Sequence, residues 1–116
     1  MMDNPILLSK KLKDCVVLYT NNYLNALGAE KLEDECEALF KTGYEQIIIN
    51  FENTELINSI GISILIGIIE KMKQFEGRLS FTNLNKTHSE TFNMLGLNKY
   101  VPIFNNEADA LSNIYK

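Results

Sequence analysis

The sequence predicts an α/β fold: an opening β-hairpin, then alternating strands and helices, giving a mixed open sheet of four to five strands and about four helices. Three observations carry this expectation. Gln46-Ile47-Ile48-Ile49-Asn50-Phe51 is a nearly continuous β-branched run, as expected of a central strand covered on both faces. Between Ala26 and Thr42, apolar residues recur at Ala29, Leu32, Cys36, Leu39 and Phe40, which is helical spacing. After the first two strands, the two kinds of segment alternate, which implies parallel pairing through crossovers.

Taken in order, Ile6 to Leu12 and Cys15 to Thr20 read as two strands joined at Lys13-Asp14. Asn21-Asn22 breaks the pattern before the first helix, which Gly43 closes as a C-terminal cap. The central strand is followed by a polar loop, Glu52 to Glu55. A second helix begins near Asn58 or Ser59 and runs to about Phe75, ending at Gly77. Leu79 to Leu84 is the next strand, Thr87 to Leu95 a short helix stopped by Gly96, Val101 to Phe104 a last short strand, and Glu107 to Tyr115 a final helix. No repeat, linker or low-complexity segment interrupts the series, so residues 1–116 are expected to form one domain.

Composition narrows the function classes. The 116 residues are 46% hydrophobic and 22% charged, which is ordinary globular usage. With a net charge of −4 and no basic cluster, the chain lacks the stripe that neutralises phosphates, so direct nucleic-acid binding is not expected. The longest apolar stretch, Ile62 to Ile69, is interrupted by Ser63 and Gly67 and falls well short of the roughly 20 residues that cross a bilayer. Met1-Met2-Asp3-Asn4-Pro5 has no basic-then-apolar leader, so no membrane insertion and a cytoplasmic location are expected. Cys15 and Cys36 lie in apolar patterns and read as free, packed thiols.

No enzyme constellation is visible. The sole histidine, His88, sits between Thr87 and Ser89 and is expected at the surface near a helix cap, without a nucleophile, acid or metal set beside it. Gly61 and Gly67 lack the spacing of a phosphate-binding loop, and no cofactor motif appears. The carboxylates of Glu30, Glu33, Asp34, Glu35 and Glu37 read as the solvated side of the first helix. Catalytic, cofactor and metal residues are therefore expected to be absent.

The most informative segment is Ile48-Ile49-Asn50-Phe51-Glu52-Asn53-Thr54-Glu55-Leu56-Ile57-Asn58-Ser59-Ile60-Gly61-Ile62. A hydrophobic strand, an acidic loop and a polar-Ser-x-Gly-aliphatic helix start follow one another. Tyr23-Leu24-Asn25 before the first helix, Gly77-Arg78-Leu79 into the fourth strand and Met94-Leu95-Gly96-Leu97 keep the same order and spacing. The whole resembles the STAS family of anti-sigma-factor antagonists, across nearly all of the chain.

The resemblance implies a STAS-like mixed open sheet, and Ser59 as the residue phosphorylated by an anti-sigma factor that is also a GHKL-type serine kinase. It also implies reversal by a PP2C-type phosphatase, and a monomer or weak homodimer. Asn25, Asn50 and Asn58 stand where the family commonly has Asp, and Ile60 replaces a hydroxyl residue. Asn caps a helix about as well as Asp, so the fold is unaffected while charge beside the serine is lost. Two other readings remain open: an unswitched interaction module of the same fold, and a small-ligand or nucleotide-binding domain using the loop from Thr54 to Gly61.

The implied partner-binding set is Asn25, Asn58, Ser59, Ile60, Gly61, Ser63 and Ile64. Gly61 is costly inside a helix and serves either close approach by a partner or packing against a neighbouring loop. Along the second helix, Ile62, Leu65, Ile66, Ile69 and Met72 form one stripe expected to face the sheet. Ile60, Ile64 and Ile68 form a second stripe beginning beside Ser59. Either another helix covers it or it is a docking surface, with exposure expected near Ser59.

Overall fold

The computed structural model describes residues 6–114, with side chains from Ser9 onward. Eleven strands and helices follow one another: β1 (Ile6–Lys11), β2 (Cys15–Thr20), β3 (Tyr23–Leu24), α1 (Ala26–Lys41), β4 (Gln46–Asn50), β5 (Leu56–Ile57), α2 (Ser59–Met72), β6 (Arg78–Thr82), α3 (Lys86–Met94), β7 (Ile103–Phe104) and α4 (Glu107–Ile114). The main sheet has five strands in the order β1-β2-β4-β6-β7. β1 runs antiparallel to β2, and the remaining pairs are parallel. The mixed open sheet and four helices are those expected from the sequence.

The pleat sorts each strand between two layers. Val16, Leu18, Ile47, Ile49, Leu79 and Phe81 point into the larger core, where α1, α2 and α3 add Leu32, Cys36, Leu65, Ile68 and Phe92. Cys15, Val17 and Ile48 point the other way, under Ala110 of α4. Both cysteines are free and buried.

Several boundaries differ from the sequence expectation, each for a local reason. β3 and β5 form a separate two-residue parallel ladder that periodicity is too short to reveal. The second helix stops at Met72 and tightens into a 3₁₀ turn over Lys73–Phe75. Its left-handed exit is Glu76 (φ 57), not Gly77. Gly77 is needed for another reason: a Cβ there would lie 2.4 Å from the Phe40 ring. The last strand shrinks to Ile103–Phe104 because the Val101 amide donates back to Leu97 and Pro102 has no N–H. Tyr115, assigned to the final helix, lies outside the described residues, as do Met1 to Pro5.

His88 is a clearer departure. The cap of α3 is Asn85, whose Oδ1 accepts from the His88 amide at 2.8 Å, and His88 is buried rather than at the surface. It stands four residues before Phe92 on the inward face of the helix, so the same turn that buries the phenyl ring buries the imidazole.

The stripes on α2 are also reapportioned. The buried line is Gly61, Leu65, Ile68, Ile69 and Met72, while Ile62, Ile64 and Ile66 are half-buried. Two neighbours explain the rotation, because α2 packs on both the sheet and α1. Glu37 of α1 crosses to Lys71 of α2 at 2.8 Å while also pairing with Lys41 at 3.1 Å. Ile68 is therefore core, and the second stripe is not an open docking surface along its length.

Candidate functional site

The ladder between β3 and β5 places the site. Tyr23 pairs with Leu56 and Leu24 with Ile57, so the next residues on each chain, Asn25 and Asn58, begin α1 and α2 side by side. Each Asn caps its helix: Asn25 Oδ1 accepts from the Gly28 amide at 2.9 Å, and Asn58 Oδ1 from the Gly61 amide at 2.7 Å. Neither helix carries an acidic residue in its first turn, so both positive dipole ends are left unneutralised by their own side chains.

The Asn58 amide donates to Leu24 O at 3.2 Å, and its side-chain Nδ2 donates to the Tyr23 hydroxyl at 3.3 Å. α2 therefore starts pressed against β3. Gly61 is what permits this, since a Cβ there would sit 2.8 Å from Leu24 O. Of the two roles open to Gly61 in the sequence, the structure takes packing against a neighbouring segment. The residue is buried, so any effect on a partner runs through the position of the helix.

Ser59 is the first residue of α2 and is exposed, as is Ser63 one turn later. The two hydroxyls differ: Ser63 Oγ donates to Ser59 O at 3.2 Å and is spent on its own helix. Exposed apolar residues lie at the starts of the two helices and on the short ladder before them. Ile60 is 58% exposed, Leu56 55%, Leu27 53% and Tyr23 46%. Asn25, Asn58 and Ile64 are half-buried at this end. Tyr23, Leu27 and Leu56 were missed in the sequence, because isolated apolar residues beside turns carry no period. The β3–β5 ladder pairs Tyr23 with Leu56 and sets the first turns of α1 and α2, with Leu27 and Ile60, directly after its two strands.

The loop that delivers Ser59 is fixed from beneath. Thr54 and Thr20, both buried, share a hydroxyl hydrogen bond of 2.6 Å, and Thr54 Oγ1 donates to Asn21 O at 2.7 Å. Asn50 Oδ1 accepts from the Glu52 amide at 2.9 Å. The loop read as simply polar is thus built on a buried threonine.

The chemistry offered elsewhere is limited. Burial pushes the Cys15 thiol up to about 11 and the Cys36 thiol up to about 12, so neither is a ready thiolate. Burial depresses the His88 imidazole below its ordinary value, which favours the neutral ring. Among the described residues, no group of three or more His, Cys, Asp or Glu could hold a metal ion, and no helix is long and apolar enough to cross a membrane. What the Ser59 end presents is an exposed hydroxyl, two helix N-termini and an apolar rim.

Residues 7–110 match the model of the STAS domain. This chain belongs to the STAS domain family. Among STAS proteins it is 27% identical over 78 residues to the anti-sigma F factor antagonist of Paenibacillus polymyxa, covering 67% of each chain. A Thermotoga maritima protein superposes with a TM-score of 0.83 at 19% identity, over 94% of both chains. The anti-sigma factor antagonist SpoIIAA in its unphosphorylated form superposes with a TM-score of 0.77 at 20% identity, over 93% of this chain and 95% of that one. These structural likenesses show that the STAS fold is shared.

Proposed function

We propose that this chain is an anti-sigma-factor antagonist that works by binding. Its partner is an anti-sigma factor of the GHKL-type serine kinase class, docked on the end of the molecule where α1 and α2 begin. Phosphorylation of Ser59 by that kinase weakens the complex, and a PP2C-type phosphatase restores it. The setting is the cytoplasm, where ATP is available, and residues 1–116 act as a single domain.

The observation that carries this reading is the position of Ser59: exposed, first in its helix, and at the end of the molecule where the exposed Tyr23, Leu27, Leu56 and Ile60 flank the starts of α1 and α2. A phosphate adds about −1.5 to −2 charges and three acceptor oxygens. At a helix N-terminus, free amides and the dipole receive it, so the fold tolerates the modification. A partner covering the four apolar side chains must instead desolvate that charge, which is costly. The switch therefore acts on association and leaves the fold in place. The names of the antagonists to which the chain is similar support the same reading.

The test is titration of wild type, Ser59→Asp and Ser59→Ala against the cognate kinase with and without ATP. Ser59→Asp should bind at least tenfold more weakly, a loss of about 1.4 kcal/mol or more. Ser59→Ala should bind yet accept no phosphate. Equal affinity of all three, with no phosphate transferred to wild type, would leave an unswitched interaction module.

A further inference from the structure

At the C-terminal end of β4, Asn50 also belongs to a second polar cluster on the α4 side of the sheet. Glu107, the first residue of α4, receives three donors from three strands. Lys10 of β1 donates to Oε2, the Tyr19 hydroxyl of β2 donates to Oε1 at 2.5 Å, and Asn50 Nδ2 of β4 donates to Oε1 at 3.1 Å. Asn50 is 2% exposed and uses both ends of its amide: Nδ2 holds Glu107, while Oδ1 takes the Glu52 amide at 2.9 Å. The carboxamide donates at one end and accepts at the other, which an ionised carboxylate, an acceptor only, cannot do.

From Glu52 the chain is held continuously to Ser59. Phe51 O accepts from the Thr54 amide, Thr54 is tied to Thr20 and Asn21, and the Glu55 and Leu56 amides both donate to Asn22 O. The Asn58 amide then donates to Leu24 O. We propose that Asn50 is a positioning residue that couples the docking of α4, through Glu107, to the loop of residues 51–57 and so to the presentation of Ser59. The amide is required as an amide. A carboxylate at position 50 would keep the bond to Glu52 but face the carboxylate of Glu107, where like charges repel across a water-poor contact. The consequence for Ser59 rests on the function proposed above; the coupling itself does not.

The experiment is amide hydrogen exchange at pH 7 on wild type, Asn50→Asp, Glu107→Gln and the double variant, with phosphorylation of Ser59 by the cognate kinase measured in parallel. Asn50→Asp should speed exchange at Glu52, Thr54 and Leu56 by roughly tenfold, the scale of one hydrogen bond to a charged group. Exchange at the central amides of Ile47 to Ile49 should change far less. In the double variant the new carboxamide on α4 can donate to the new carboxylate on β4. Exchange in the loop should then return to within about threefold of wild type, the non-additivity expected of groups in contact. Glu107→Gln alone should loosen the loop although it lies far along the chain.

Unchanged loop exchange in Asn50→Asp, equal acceleration of Ile47 to Ile49, or strictly additive effects in the double variant would each overturn the coupling. If Asn50→Asp does not fold, refolding on addition of Glu107→Gln supports the pairing, and failure to refold overturns it. The loop response in the variants, together with a wild type that accepts no phosphate, would sink the function proposed for Ser59 and leave the coupling standing.

Discussion

On one face of the sheet, α1, α2 and α3 bury a continuous core from Val16 to Val101; on the other, α4 packs with Leu12 and Phe104 over Cys15, Val17 and Ile48 and is pinned by Glu107 to Lys10, Tyr19 and Asn50. The first face is held mainly by apolar area, with the buried His88 of α3 as a titrating group among it. The second is a smaller apolar cluster joined by a carboxylate with three donors, which also titrates. The difference teaches where the molecule can be perturbed: the large core sets whether the chain folds, and the small face is where modest chemistry can be felt at the Ser59 loop.

The largest effect should come from the core. Leu65→Ala removes a fully buried side chain where α2 meets the sheet and should cost about 2–5 kcal/mol of stability in urea unfolding. A cost below about 1 kcal/mol would mean that α2 is less fixed than its burial shows. Gly61→Ala comes next, at about 1–3 kcal/mol, because the new Cβ meets Leu24 O at 2.8 Å and backbone must move. Its effect should be concentrated in β3, β5 and the start of α2, visible as chemical-shift changes there and little elsewhere.

On the other face, Glu107→Gln should cost about 1–2 kcal/mol at pH 7. Burial pushes the Glu107 carboxyl up, but donation from Lys10, Tyr19 and Asn50 outweighs it, and the folded-state value lies below the usual 4.5. A depressed carboxyl contributes stability above its unfolded value and loses it as pH falls through the folded one. Wild type should therefore weaken below about pH 4.5 and Glu107→Gln should show less of that decline. His88 supplies a second, smaller slope. Its imidazole is depressed from 6.5 by burial, so the unfolded chain binds the extra proton first and stability begins to fall below that pH. His88→Leu should flatten the profile just below pH 6.5, and an unchanged profile would show that the ring can be protonated in place.

The smallest effect on stability, within about 0.5 kcal/mol, is expected for Ile60→Glu, because the side chain is more than half exposed. Binding to the kinase proposed as partner should nevertheless weaken at least tenfold, or by about 1.4 kcal/mol. Ile64→Glu is the contrasting variant: Ile64 packs against the core, so it should lose stability as well as binding.

Much of this was legible in the sequence, and the rest was hidden for identifiable reasons. The β-branched run of Ile47 to Ile49 and the apolar spacing of Ala29, Leu32, Cys36 and Leu39 named the central strand and first helix, since burial on a fixed period leaves a trace. Ser59 at a helix start was readable from Asn58 and the change of pattern after it. The β3–β5 ladder was not, because two residues cannot display a period and their partners lie on the far side of α1 and β4 in the chain. His88 was misplaced because its neighbours Thr87 and Ser89 are polar, while its side chain shares the inward face of α3 with Phe92 four residues later. Ile68 was assigned to an outer stripe because a helix with two neighbours buries a wider arc than one facing a sheet alone.

The short ladder of Tyr23–Leu24 with Leu56–Ile57 has a further consequence for how the molecule breathes. It is separate from the main sheet, and loop 51–55 and the starts of two helices hang from it. Such a piece can open and reclose as a local unit without disturbing the five-stranded sheet, at a cost well under that of global unfolding. A protein that grips Tyr23, Leu56 and Ile60 together would clamp both strands at once. Its arrival would be recorded as slower amide exchange along both short strands at once.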